Sequence, residues 1–115
     1  MSLEKIRIAV ATKGRKGLKD TVSEVFGRAK TFTIIDMREK VIQNIEVLDN
    51  PAASQKQGVG PIVTKMLGEA GVNIVAASEV GPGASTLLEI YNIKKISVKP
   101  GMQVTEAIKK ALQEI

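Results

Sequence analysis

The second half of the chain alternates two kinds of apolar pattern, and this alternation constrains the fold more than any other feature. Residues 59–70 carry apolar side chains at helical spacing, with Pro61 near the start and Gly71 as the C-terminal cap. Residues 72–77 form a short, mostly apolar run, which is typical of a strand buried on both faces. The series continues with a helix opened by residues 81–83, a short buried strand at 95–98 and an amphipathic helix at 104–115. Strands joined by a helix run parallel, so this half predicts a β-α-β unit with a right-handed crossover.

The first half of the chain predicts one strand and a hairpin. Residues 6–12 have the pattern of a strand that lies centrally in its sheet. Two runs rich in β-branched residues, 30–37 and 41–48, are separated by residues 38–40, a spacing that suits an antiparallel hairpin. The complete order therefore predicts an α/β fold in which an antiparallel hairpin joins a parallel β-α-β part in one mixed sheet flanked by helices.

The sequence also predicts the structure of two connecting segments. Asp20 or Thr21 is suited to cap a short helical turn that runs to Phe26 and ends at Gly27. Residues 52–60 are small and polar without periodicity, which favours a long exposed loop of the kind that is often functional.

Length and composition indicate an ordinary globular chain. The 115 residues are enough for one core, and 43% hydrophobic with 25% charged residues excludes a disordered chain, so we expect a single domain over residues 1–115. No apolar run approaches the ~18 residues of a membrane span, and no signal-peptide pattern opens the chain. We therefore expect a cytoplasmic protein that does not bind membranes.

The chain contains neither cysteine nor histidine, which excludes disulfides, thiolate nucleophiles, imidazole bases and Cys/His zinc sites. Ser54, Ser78 and Ser85 have no base to activate them, and the first strand carries no carboxylate for a two-metal nuclease. Three aromatic residues are too few for a base-stacking platform. We expect no enzyme activity, no catalytic residue and no metal-ligating side chain.

The net charge of +5 is concentrated near the start of the chain. Residues 1–30 hold eight basic and three acidic residues, whereas residues 31–115 hold nine of each. The densest part includes Lys13, Arg15 and Lys16, and two neighbouring glycines favour a loop there. This segment is either a solvated surface loop or an anion-binding site, since mobile cations beside flexible backbone N–H groups attract negative ligands.

Two predicted helices begin beside glycines: Gly58 and Gly60 precede the first, and Gly81 and Gly83 open the second. Helix starts expose unpaired N–H groups that suit a phosphate, a carboxylate or an anionic cluster, although such glycines also serve tight turns alone. Loops at the carboxyl ends of parallel strands meet at one edge of a sheet, so the basic loop and the Gly81 loop are expected to share a crevice. Neither loop matches a P-loop or a dinucleotide fingerprint.

An ordered set of short motifs resembles a known family. The motifs are the run from Val25 to Ala29 followed by Phe32, the Asn50-Pro51-Ala52 turn, the Gly58-Val59-Gly60 loop, Gly71-Val72, and the run from Val80 to Ala84. Together they resemble the dinitrogenase iron-molybdenum cofactor biosynthesis family, the NifX-like domain that is also fused to the NifB enzyme. The resemblance covers residues 6–112 and implies a three-layer ribonuclease H-like fold with a five-stranded mixed sheet.

The resemblance implies a non-enzymatic carrier or binding domain for an anionic metal-sulfur cofactor or related anion. Nitrogenase-linked members carry or store an iron-sulfur or iron-molybdenum cofactor or its precursor, and a metallocluster assembly protein is the implied partner. Without Cys or His ligands, this chain would hold such a cluster through charge, carboxylates or backbone. The candidate cofactor-binding residues are Lys13, Arg15, Lys16, Gly58, Gly60, Gly81 and Gly83. The alternative is a nucleic-acid or protein-interaction regulatory module that uses the basic loop, with nucleic acid the less favoured partner.

Overall fold

A computed structural model describes residues 5–55 and 59–115, which form one five-stranded sheet flanked by helices. The strands are β1 (Lys5–Thr12), β2 (Thr31–Arg38), β3 (Val41–Asp49), β4 (Ile74–Ala77) and β5 (Lys94–Ser97), and the helices are α1 (Val59–Glu69), α2 (Pro82–Ile90) and α3 (Val104–Gln113). A short 3₁₀ helix covers Gly17–Lys19.

The sheet has the order β3-β2-β1-β4-β5, with β1 at its centre. β1 pairs antiparallel with β2, and β2 pairs antiparallel with β3. On the other side β1 pairs parallel with β4, and β4 pairs parallel with β5. This confirms the mixed sheet, the hairpin and the parallel part predicted from the sequence.

Helices cover both faces of the sheet, which gives three layers. On one face Ala9, Phe32 and Val75 pack under α1 and α2, and Phe26 meets Phe32 edge to face with ring centroids 5.5 Å apart. On the other face Ile8, Ile35 and Ile74 pack under α3. Successive strand residues point to opposite faces, so β4 and the apolar residues 8–11 of β1 supply both cores.

The segment from Asp20 to Phe26 is not a helical turn, and that sequence prediction was wrong. Its backbone groups bond to other parts of the chain: Val22 N–H donates to Met102 O at 2.8 Å, and Phe26 N–H donates to Glu79 O at 2.9 Å. Residues in bridges of this kind have no backbone donors left for helical bonds. Asp20 is 4% exposed and accepts from Lys16 N–H and Thr21 N–H at 2.9 and 2.8 Å, so it closes the basic loop instead of capping a helix.

Two further expectations need correction. β5 lies at the sheet edge, and within it only Ile96 is buried, so this strand is not enclosed on both sides. In the segment 52–60, which we expected to be an exposed loop, Ala52 is fully buried, while α1 begins at Val59, where the predicted helical spacing starts.

Within the described residues, none of the helices is both long and apolar enough to span a bilayer.

Candidate functional site

The carboxyl ends of the parallel strands meet at one edge of the sheet, called here the carboxyl edge. Thr12, Ala77 and Ser97 end β1, β4 and β5 there. The helices that follow β4 and β5 start at this edge, and α1, which precedes β4, starts there as well. In parallel α/β sheets this is the edge where ligands bind.

Asn50 holds the loops of this edge together. Its amide Nδ2 donates to Gly27 O and Ala29 O, both at 2.9 Å, and its Oδ1 accepts from Ala52 N–H at 2.9 Å. The side chain is 7% exposed, so these bonds replace water that cannot reach the carbonyls. One asparagine therefore fixes the turn at Gly27 to the turn that follows β3.

The starts of α1 and α2 form the walls of a crevice of about 250 Å³ beside the turn at Gly27. Gly60 lies against Ala84, because a Cβ on Gly60 would stand 3.0 Å from the Ala84 Cβ. The crevice wall is largely apolar, with Val25, Phe26 and Pro61, and among the described residues Glu79 is the one ionisable group that lines it. Within the same part of the chain, no side chain forms a capping hydrogen bond with the first turn of α2. Uncapped N–H groups at a helix start favour negative charge, so this wall attracts anions although it is mostly apolar.

A second, basic pocket of about 480 Å³ lies beside this crevice, and Val25 lines both cavities. Its cations are Lys13, Arg28 and Lys30, joined by Ser23 and Glu24. Arg28 also donates to Gln55 O. Cations that converge on a concave surface raise the local concentration of anions more than the same charges spread over a flat one. The two cavities together can therefore take an anion that is larger than either alone.

The predicted site residues divide among three locations. Gly60, Gly81 and Gly83 line the crevice, and Lys13 lines the basic pocket. Arg15 and Lys16 line neither cavity: Arg15 pairs with Asp49, and the Lys16 backbone N–H donates to Asp20. Gly58 lies outside the described residues. The Gly81 loop thus shares its crevice with the Gly60 loop, and the basic loop borders the adjacent pocket through Lys13.

Sequence reasoning missed Arg28 and Lys30 as site residues. They lie 15 and 17 positions beyond Lys13, outside the dense basic run, and only the packing of residues 21–30 across the carboxyl edge brings them to it. The available signal was the basic excess of residues 1–30 as a whole, which includes both.

A third cavity, of about 320 Å³, opens at the opposite edge around Arg7, Asp36 and Asn73. The Arg7 guanidinium is already engaged, because Nε donates to Asp36 Oδ1 at 2.6 Å and Nη1 donates to Ala70 O. The hydrogen bond that Arg7 donates to Asp36 raises the pKa of Arg7 above its ordinary value. Arg7 therefore stabilises the fold through these bonds, and the carboxyl edge is the better candidate for a ligand site. Among residues 5–55 and 59–115, no three acidic side chains gather in a way that would bind a metal ion.

The sheet order, the three layers and the loop-built carboxyl edge define a small α/β domain of ribonuclease H-like topology. The sequence model described as dinitrogenase iron-molybdenum cofactor matches residues 4–114, and the chain belongs to that family.

Solved structures support this assignment. The apo form of the orange protein from Desulfovibrio gigas superposes with a TM-score of 0.83 at 29% identity, over 94% of this chain and 88% of that one. A Thermotoga protein proposed to be a NifB protein superposes with a TM-score of 0.76 at 34% identity, over 95% of this chain and 88% of that one. An uncharacterised protein of Methanocaldococcus jannaschii is 27% identical over 82 residues, which is 67% of this chain and 70% of the relative.

Proposed function

We propose that this chain is a non-enzymatic carrier for an anionic metal-sulfur cofactor or a related anion, bound at the carboxyl edge. The observation that carries the proposal is the adjacency of the apolar crevice and the basic pocket, which meet at Val25. Membership of the dinitrogenase iron-molybdenum cofactor family supports a cargo of this class.

The chemistry of the two cavities suits a large, weakly hydrated polyanion. Lys13 and Lys30 supply positive charge at one end, and the start of α2 supplies backbone N–H groups at the other. Apart from Glu24 and Glu79, the walls between them are mostly apolar, which disfavours a small, strongly hydrated ion because it would lose water without replacement. A sulfide-rich cluster exposes soft sulfur atoms and carries net negative charge, so both surfaces match it.

The absence of Cys and His shapes how the cargo is held. Thiolate and imidazole ligands make strong bonds to iron, whereas charge and backbone contacts are weaker and reversible. A carrier gains from reversible binding because it must release its cargo to an acceptor. In this proposal a metallocluster assembly protein is the natural donor or acceptor.

The test is anaerobic titration of the purified protein with a synthetic iron-sulfur cluster, followed by gel filtration with iron and protein measured in each fraction. We expect iron to co-elute in a fixed ratio to protein. The double variant Lys13→Ala/Lys30→Ala should weaken binding on the order of 10-fold or more, since it removes two charges from the basic pocket.

Two matched variants make the result specific. Lys95→Ala/Lys109→Ala removes the same charge from exposed positions on β5 and α3 and should leave binding unchanged. Arg15→Ala/Lys16→Ala removes the same charge from the basic loop but outside both cavities, and should weaken binding by less than the first pair. Equal losses for all three pairs would indicate a nonspecific charge effect and contradict the proposed site.

A duplex oligonucleotide serves as the competing ligand. If it binds more tightly than the cluster, with affinity that falls steeply as salt rises, the chain is a nucleic-acid module instead. If neither iron nor the oligonucleotide travels with the protein, the carrier proposal fails.

A further inference from the structure

β3 is an open edge of the sheet. It pairs with β2 on one side only, it is nine residues long, and residues 41–46 are all exposed. A strand at the edge of a sheet presents a row of unpaired N–H and C=O groups that another strand can bind.

The opposite edge of the same sheet is protected. β5 has four residues, of which Lys94 and Lys95 are two. Two lysines also connect β5 with α3. Lys94 of β5 donates through Nζ to Glu114 O, just after α3, and Lys110 of α3 donates through Nζ to Ser97 O. Short length and lysine side chains are the usual means of preventing strand addition. β3 contains no Lys, Arg or Pro. A register shift interrupts its pairing with β2 near Gln43, but residues 44–49 pair regularly, so this part of the edge remains available.

The available edge is also apolar on the face that α3 covers elsewhere. Ile45 lies opposite the buried Ile35, and Ile42 lies opposite the buried Met37, yet Ile42 and Ile45 remain 37% and 38% exposed. α3 packs against β1 and β4, toward the other side of the sheet. The apolar stripe of the core therefore continues onto β3, where half-buried isoleucines meet solvent.

We propose that two copies of this chain associate through β3, antiparallel and around a two-fold axis beside Ile45, to form one continuous ten-stranded sheet. In this arrangement Ile45 of each copy lies opposite its own symmetry mate. Ile45 of one copy is then covered by Ile45 of the other, as an isologous interface requires, whereas Ile42 lies beyond the register shift and outside this pairing.

The strand is complementary to itself in this register. Asn44 and Glu46 flank Ile45 and share the other face of β3, since they lie opposite Asp36 and Ile34. Antiparallel pairing about Ile45 places each Asn44 amide opposite the Glu46 carboxylate of the other copy, a hydrogen-bonding pair that occurs twice. This complementarity of the strand with itself favours a second copy of the chain over an unrelated strand.

The absence of native cysteine allows a direct test by disulfide trapping. Directly opposed residues of an antiparallel pair have Cα atoms about 4.5–5.5 Å apart, which lies within the range that a disulfide spans. The variant Ile45→Cys should therefore form a covalent dimer rapidly under mild oxidation. Ile90→Cys is the matched control, because Ile90 is an exposed isoleucine on α2 at 67% exposure, away from β3, and it should link only at the rate of random collision.

Sedimentation equilibrium of the unmodified protein gives the second measurement. We expect the mass to rise with concentration from 12.3 kDa toward twice that value. Ile45→Lys should raise the dissociation constant on the order of 10-fold or more, because it removes the apolar contact and places two like-charged side chains opposite each other. Ile90→Lys should leave it unchanged.

The outcomes separate clearly. Dimerisation that Ile45→Lys weakens and Ile90→Lys preserves, together with selective trapping at Ile45→Cys, supports the interface. A protein that remains monomeric at every concentration overturns the proposal and leaves the edge open to a strand from a different protein. If Ile45→Lys does not affect dimerisation, the interface lies elsewhere and the proposal is also overturned.

Discussion

Two glycines at the carboxyl edge, Gly27 and Gly81, have opposite structural roles. A Cβ on Gly27 would stand 2.8 Å from Val59 Cγ2, closer than real contacts allow, and 3.1 Å from the Gly60 backbone nitrogen, which is a tight contact. A Cβ on Gly81 would meet no atom of residues 5–55 or 59–115 within 4 Å, and its backbone has φ −67° and ψ 163°, which any residue adopts. Gly27 is therefore required for packing, whereas Gly81 keeps the crevice open.

Changing each of these glycines to alanine should separate stability from binding. Gly27→Ala should lower the free energy of unfolding by about 1–3 kcal/mol, because the turn and the start of α1 must move apart. Gly81→Ala should lower it by less than about 1 kcal/mol, the scale of a lost N-cap preference, while weakening cluster binding severalfold. Urea unfolding and the iron titration measure the two effects. A Gly81→Ala protein with unchanged affinity would show that the cargo does not approach the start of α2.

Asn50 is the residue whose removal should cost most at this edge. Asn50→Ala leaves Gly27 O, Ala29 O and Ala52 N–H without their buried partner, and each unsatisfied group costs about 1–3 kcal/mol. We expect the free energy of unfolding to fall by about 3 kcal/mol. Gln113→Ala, which changes an exposed amide near the end of α3, should change it by less than about 0.5 kcal/mol. Equal values for the two variants in urea unfolding would contradict the assigned role.

At the scale of elements, the hairpin between β2 and β3 depends on an unfavourable turn. Glu39 and Lys40 connect the strands with φ of 51° and 69°, the left-handed conformation that a type I′ turn requires at both central positions. Glycine and asparagine are preferred there because longer side chains are strained. The twist of the two strands imposes this turn on residues that do not favour it.

Lys40→Gly should therefore stabilise the protein by about 0.5–1 kcal/mol, since glycine removes the strain at a positive φ. Asn92→Gly is the matched comparison: Asn92 has φ 59°, but asparagine tolerates this region, so the gain should be smaller. Thermal and urea unfolding of both variants measure which substitution raises the free energy of unfolding more. A loss of stability in Lys40→Gly would show that unfolded-state entropy outweighs the strain.

The elements also show where sequence reasoning succeeds and where it fails. The span of α1 follows from its apolar spacing and from Gly71, whose φ of 78° ends the helix as expected. The prediction of a helical turn from Asp20 to Phe26 was wrong because a capping residue before a short apolar stretch also occurs in an extended segment whose backbone bonds to other parts of the chain. Its partners Met102 and Glu79 are distant in sequence, and local patterns carry no information about them.

At the scale of the whole molecule, fold stability and site electrostatics depend on different charges. The ion pairs Arg15–Asp49 and Lys109–Glu106 have side chains that are 57% to 77% exposed, so each contributes at most about 1 kcal/mol. The basic pocket at the carboxyl edge, by contrast, gathers three cations in one concavity. Salt should therefore act on binding far more than on folding.

Raising the salt concentration from low to about 0.15 M, where the Debye length is about 8 Å, should weaken cluster binding severalfold. The free energy of unfolding should change by less than about 1 kcal/mol over the same range. Anaerobic titration and urea unfolding at each salt concentration measure the two quantities. Binding that does not respond to salt would contradict an electrostatic mode and point to direct coordination of the metal.

The sequence by itself determined the main strands and helices, the mixed sheet and the basic character of one region, because periodicity, glycine caps and local charge are properties of neighbouring residues. It also determined that any metal-sulfur cargo must be held without thiolate or imidazole ligands. Only the tertiary structure decided which cations share a pocket: it brought Lys30 to Lys13 and paired Arg15 with Asp49. Those relations arise from long-range pairing across the carboxyl edge, and side chains distant in sequence become neighbours only when the sheet and its loops have packed.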